Sequence, residues 1–204
     1  MELLEEFNSN LENLPSDVYY PDDDSYLLSG FVSTLAKGKV LDVGCGNGLQ
    51  SFSASTNNSV ESVLGIDVNL KAIDFCSDFS KKAKIPNCSF KRIDYFDFIK
   101  SNQIKFDTIL CNPPYLPTEI TEKLQGQINE AFDGGIDGRK FIDGFLSTVS
   151  NQLTSHGQLL TIASSLSSID KTIEVLDSLG FTNRILGQKS FFFEKLVCIN
   201  SVRK

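Results

Sequence analysis

The chain has 204 residues, 41% of them apolar and 22% charged, enough for one sizeable core and too evenly mixed for a disordered or fibrous protein. Its formal net charge is −7, Lys and Arg are scattered, and only Lys81 to Lys84 ("KKAK") form a basic group, which reads as a helix C-terminus and argues against a nucleic-acid binder. No apolar run is long enough for a membrane span, and the acidic opening "MELLEEFNSNLENL" lacks the pattern of a signal peptide.

In chain order, residues 1–36 are expected to form a short helical extension or lid, and residues 37–204 a single globular unit. "KVLDVG" (39–44) and "VLGIDV" (63–68) read as short buried strands, and the more alternating "CSFKRI" (88–93) as an edge strand. "FDTILC" (106–111) and "GQLLTIAS" (157–164) are two further strands, and "FTNRILGQ" and "FFFEKLVCIN" close the chain as β-rich runs. Helical patterns fall at 48–55, 69–82, 139–153 and 168–179. Strand–helix alternation predicts an α/β fold with a doubly wound, mostly parallel seven-stranded sheet. The last two runs, with no helix between them, predict an antiparallel pair at one side. The three consecutive phenylalanines 191–193 are expected in the buried final strand, with a partner surface as the second reading.

Five cysteines, at 45, 76, 88, 111 and 198, form no CxxC, and with a single His156 no metal-ligand spacing exists. Apolar-flanked thiols in odd number suit a reducing, cytoplasmic setting. His156 reads as an ordinary turn residue before a strand.

The first strand runs into "DVGCGNG", where Gly44 and Gly46 allow a tight turn and close approach of backbone to a ligand. A dinucleotide fingerprint would place its third glycine at position 49, which is Leu49. Asp42, Asp67 and Asp94 fall at the carboxyl ends of three successive strands, where α/β ligands bind. Asp67 can accept the hydroxyls of a ribose, and Asp94, backed by Tyr95, an adenine amino group. Each acid taken singly also reads as a helix N-cap.

The fourth strand ends in "NPPY", Asn112 to Tyr115. Two prolines fix the backbone and aim its carbonyls. The Asn112 carbonyl and the Pro113 backbone carbonyl can accept the two N–H bonds of a planar amide or amino nitrogen, with Pro114 and Tyr115 shaping the slot. A nitrogen of that kind is too weakly acidic for a side-chain base, so catalysis would rest on positioning and desolvation.

"VLDVGCGNG", "GIDVN" and "NPPY" in this order resemble the class I S-adenosylmethionine-dependent methyltransferases that act on planar nitrogens. "VYYPDDDSYLL" (18–28) and "AFDGGIDGRKFIDGFL" (131–146) narrow the resemblance to the HemK-like release factor glutamine methyltransferases of the eukaryotic and archaeal branch. The resemblance runs from about Val18 to Ser165. It implies a Rossmann-like methyltransferase fold and methyl transfer to the glutamine of the Gly-Gly-Gln loop of a class I translation termination factor. Asn112, Pro113, Pro114 and Tyr115 would then hold the glutamine amide. Ser25, Asp42, Gly44, Gly46, Asp67, Asp94, Tyr95 and Asn112 would contact S-adenosylmethionine.

Members of this branch work with a small zinc-binding activator, which would dock on the edge strand Cys88 to Ile93, exposing Phe90 and Ile93 or their neighbours. The short length fits that branch, in which the separate N-terminal helical domain of the bacterial branch is not expected. Residues 116–138 read as a functional loop or lid, with Arg139 in a structural role against the Asn-Pro-Pro-Tyr loop. Two other activities share the motif or the acidic surface: adenine-N6 methylation of DNA or RNA, and lysine methylation of another protein. The acidic charge opposes the former, and a site built for a planar nitrogen opposes the latter.

Overall fold

A computed structural model describes residues 2–117 and 134–203. One seven-stranded sheet runs in the order β3-β2-β1-β4-β5-β7-β6. Its strands are β1 (Gly38–Val43), β2 (Val60–Asp67), β3 (Cys88–Arg92), β4 (Phe106–Cys111), β5 (Leu153–Ser164), β6 (Phe181–Ser190) and β7 (Lys195–Arg203). β3, β2, β1, β4 and β5 pair in parallel, and β7 is antiparallel to both β5 and β6. The order reverses between β1 and β4, the switch point at which such sheets open a crevice at their carboxyl ends.

Side chains alternate across the sheet as the pleat requires. Leu41, Val43, Ile109 and Leu159 enter one core with Tyr95, Phe98, Phe145 and Leu176, while Val40, Leu110, Leu160 and Cys198 enter another with Leu28 and Val32. The helices covering these faces are α1 (Glu2–Asn10), α2 (Asp23–Leu35), α3 (Leu49–Ser55), α4 (Leu70–Lys82), α5 (Tyr95–Ser101), α6 (Ile142–Val149) and α7 (Ile169–Ser178). The N-terminal extension packs into the same body. Phe7 and Leu11 join Phe52 and Phe79 in a third cluster, whose rings lie 4.8–5.6 Å apart. Lys81 and Lys82 occupy the last turn of α4, where they favour the negative end of the helix dipole.

Several local expectations change. The 139–153 helix shortens to α6, because Arg139 is engaged with Ser167 and Asp143 before the helix begins. β5 begins four residues early, at Leu153, so His156 is an exposed strand residue rather than part of a turn. α5 was not expected as a helix at all. On β3 the exposed side chains are Ser89, Lys91 and Arg92. Phe90 turns inward against Gly65, where an added Cβ would come within 2.6 Å of its ring.

The phenylalanine run is the largest departure. The β6–β7 register pairs Ser190 with Lys195, so residues 191–194 become the turn, closed by Phe191 N donating to Glu194 O at 2.7 Å. Leu196 to Ile199 fill the buried strand instead, and the three rings are left outside. Of the 116–138 segment proposed as a lid, residues 118–133 lie outside the described residues.

Candidate active site

The glycine turn opens the site. Gly44 and Cys45 donate their N–H groups to Ile66 O at 2.9 and 3.0 Å, which ties the turn to the end of β2. Gly44 has φ +67° and no atom within 4 Å of where a Cβ would stand, so backbone faces open space there. Gly46 has φ +50°, and its N–H donates to Asp67 Oδ2 at 2.9 Å. The other Asp67 oxygen accepts from Asn69 N at 2.8 Å. Burial raises the Asp67 carboxyl above its ordinary range, and these backbone bonds oppose the rise. Asp94 is both a helix cap, accepting from Phe96 N and Asp97 N at 2.7 and 3.2 Å, and a wall of the same crevice. Tyr95 lies under it, its hydroxyl 3.2 Å from Thr148 Oγ1 and its ring edge-on to Phe96 and Phe145.

These groups border a cavity of 1220 Å³ at the carboxyl ends of β1, β2 and β4. Ser25, Gly44, Gly46, Asp67, Asp94, Tyr95, Asn112, Pro113, Pro114 and Tyr115 all line it. Asp42 does not. It is buried beneath the turn and accepts from Ser51 Oγ at 2.6 Å, and burial pushes its carboxyl up to about 7 against that bond. Phe96 and Phe141 also line the cavity, and their apolar walls went unread in the sequence because they belong to α5 and the entry to α6.

Asp24 is the residue that sequence reasoning passed over. It is 5% exposed, at the start of α2, yet carries a carboxylate. Its Oδ1 accepts from Tyr19 OH at 2.9 Å, from Ser25 N and from Ser25 Oγ at 3.0 Å. Its Oδ2 accepts from Asn112 Nδ2 at 3.0 Å and Tyr115 OH at 2.9 Å. A buried charge needs such a set of donors. Burial, then the charge of Asp24, pushes the Tyr19 and Tyr115 phenols well above their ordinary range, so both remain neutral donors. The run Asp22-Asp23-Asp24 does not by itself say which of the three turns inward, and the resemblance carried by "VYYPDDDSYLL" marked the acid before Ser25 without giving it a role.

Asp24 also decides which way the Asn112 amide faces. A carboxylate only accepts, so the NH₂ of Asn112 must turn toward it and the carbonyl away. That carbonyl, Oδ1, is buried and has no hydrogen-bond partner among the described residues. Asn112 thus lines the cavity and carries a buried acceptor that the described residues leave unpaired. Among the described lining residues stand six carboxylates, Asp17, Asp22, Asp24, Asp67, Asp94 and Glu194, against one lysine, Lys140. Such a wall suits a cationic ligand and opposes a polyphosphate. The glycine turn with open space before it, and acids on neighbouring strand ends, fit the carboxyl-edge nucleoside site of an α/β fold.

The family described as "Methyltransferase domain" matches residues 35–188. A Methanocaldococcus jannaschii protein named as a protein N5-glutamine methyltransferase is 37% identical over 190 residues, 93% of this chain and 94% of its own length. A release factor glutamine methyltransferase of Mycoplasma mycoides is 28% identical over 114 residues, covering 54% of this chain and 40% of that protein. Among solved structures, one chain of the E. cuniculi Mtq2–Trm112 complex, responsible for methylation of the eRF1 translation termination factor, superposes with a TM-score of 0.69 at 22% identity. The match covers 92% of this chain and 99% of that one. The chain therefore belongs to the methyltransferase-domain family and, within it, to the protein glutamine methyltransferases.

Proposed function

We propose that the protein transfers a methyl group from S-adenosylmethionine to the side-chain amide nitrogen of the glutamine in the Gly-Gly-Gln loop of a class I translation termination factor. The observation that carries this reading is the Asn112 carbonyl, a buried acceptor turned away from Asp24 on the wall of the cavity. The glutamine methyltransferase relatives and the termination-factor activity of the E. cuniculi complex support it.

Ser25, Gly44, Gly46, Asp67, Asp94 and Tyr95 would hold S-adenosylmethionine, which when bound supplies an electrophilic methyl group on a cationic sulfur. Asp42 would act from beneath, by supporting the glycine turn through Ser51. Pro15 to Asp22, with Asp24, come from the N-terminal extension, also border the cavity and would serve as its cover.

The amide nitrogen of glutamine has a delocalised lone pair and is a weak nucleophile. Asn112 Oδ1 and the Pro113 carbonyl accept its two N–H bonds. This holds the nitrogen in line for attack and draws its lone pair out of conjugation. Pro114 and Tyr115 confine the amide plane, and Tyr115 is itself held by Asp24. As the new C–N bond forms, the methyl–sulfur bond would break with its electron pair leaving on a neutral thioether, and the nitrogen becomes acidic, so its proton passes to solvent afterwards, with no side-chain base at the nitrogen. Positioning and exclusion of water supply the rate enhancement.

By analogy with the E. cuniculi complex, a small activator, zinc-binding in our reading, would pair with the edge of β3, which among the described residues bonds only to β2. The six carboxylates of the cavity oppose a nucleic-acid substrate. The test is transfer of labelled methyl to an intact termination factor, with and without the activator of the same organism. The expected result is label on the Gly-Gly-Gln protein and none on a Gly-Gly-Ala variant. Equal label on both would refute the assignment.

A further inference from the structure

The turn between β6 and β7 holds Phe191, Phe192 and Phe193, and the last two are 92% and 84% exposed. Their rings stack edge-on, with centroids 4.5 Å apart, forming one apolar knob. Contiguous exposed aromatic surface is a mark of docking, since it gains nothing from remaining in water.

The knob is joined to the active site. Glu194, the residue after Phe193, lines the cavity, and its Oε1 accepts from Ser164 Oγ at 2.6 Å. Lys195 N donates to Ser165 Oγ at 2.9 Å, which fixes the base of the turn to the end of β5. Leu166 follows in that same segment and is itself exposed. A third loop completes the rim. Ile136, 82% exposed, sits in the Gly135–Gly138 turn. Gly138 lies so close to the Tyr115 carbonyl that a Cβ there would come within 2.3 Å of it, and within 3.0 Å of Ser167. Three loops thus bring exposed apolar groups to one side of the mouth beside Tyr115 and Glu194.

We propose that this ridge, Phe192 and Phe193 with Leu166 and Ile136, is the docking surface for the folded protein substrate whose glutamine enters the cavity. The inference rests on the function proposed above. Continuity with the catalytic mouth selects this occupant. An activator on β3 would sit at the opposite edge of the sheet from the β6–β7 turn. The acidic wall beside the ridge sets the chemistry of the partner: apolar contacts for the rings, and basic groups flanking the reactive glutamine.

The experiment compares the full chain, carrying any activator that co-purifies, with its Phe192→Ser/Phe193→Ser variant. Steady-state transfer is measured on the intact termination factor and on a short peptide spanning its Gly-Gly-Gln loop. The expected result is a rise of about tenfold or more in KM for the intact factor, kcat retained, and unchanged kinetics on the peptide. An unchanged KM for the factor, or equal losses on both substrates, overturns the docking surface. So does loss of a dimer in sedimentation, which would assign the ridge to a second copy of this chain. Wild-type transfer to neither substrate would instead sink the glutamine reading itself, and the docking surface with it.

Discussion

Asp24 and Asp42 are two buried carboxylates with opposite roles. Asp24 is surrounded by donors and sets the orientation of Asn112 and Tyr115 in the cavity wall. Asp42 has the Ser51 hydroxyl and little else, and burial brings its carboxyl up to about 7. A folded-state value raised above the unfolded one favours the neutral form. The stability it contributes is complete below the unfolded value near 4, declines as pH rises toward 7, and is gone above it. Asp42→Asn removes this titration. Urea unfolding at about pH 5 and about pH 8 should therefore show the wild type losing roughly 3 kcal/mol relative to the variant across that interval. Parallel pH profiles for the two proteins would contradict the buried, protonated Asp42.

Helices and strands differ in how openly their sequences declared them. β1, β2 and β4 are short, apolar and bounded by turn residues, and the periodicity of α4 and α7 matches one buried face, so all five were legible. α5 spans only two turns with three aromatic residues, and its sequence carries no longer period to detect. Its N-cap, Asp94, was read chiefly as a ligand, and the fold uses one carboxylate in both places. The phenylalanine run deceived because hydrophobicity alone assigns it to the interior, whereas the pairing of β6 with β7 decides where the chain must turn. The shortening of α6 has a similar cause. Arg139, buried at the loop before it, donates to Ser167 O at 2.6 Å and Thr172 Oγ1 at 3.0 Å and pairs with Asp143 at 2.7 Å. It pins the loop that touches Tyr115 to α7. Arg139→Ala should lower unfolding free energy by about 2–4 kcal/mol, and Arg139→Lys should recover little, because one ammonium cannot span both carbonyl and carboxylate. Denaturant midpoints check both. Full recovery by lysine would mean that charge alone matters.

Across the whole molecule, one topological feature gathers the chemistry. The five parallel strands end on the same side of the sheet, and residues far apart in sequence meet there: Tyr19 and Asp24 from the extension, Gly46 after β1, Asp67 at the end of β2, and Asn112 after β4. The strand-end positions were legible from alternation alone, since α/β folds place ligands at that edge. The Asp24 contact with Asn112 was not, because it joins residues 88 apart and no local pattern encodes it. That contact turns the Asn112 carbonyl away from Asp24 and leaves it an unpaired acceptor among the described residues. The central claim is that a fixed carbonyl, rather than a base, holds the reacting nitrogen. Asn112→Ala tests it most directly, with transfer to the Gly-Gly-Gln protein and calorimetric binding of S-adenosylmethionine measured on the same folded sample. The account predicts that transfer is abolished while cofactor affinity stays within about tenfold, or ~1.4 kcal/mol. A variant that still transfers methyl at near the wild-type rate would contradict it.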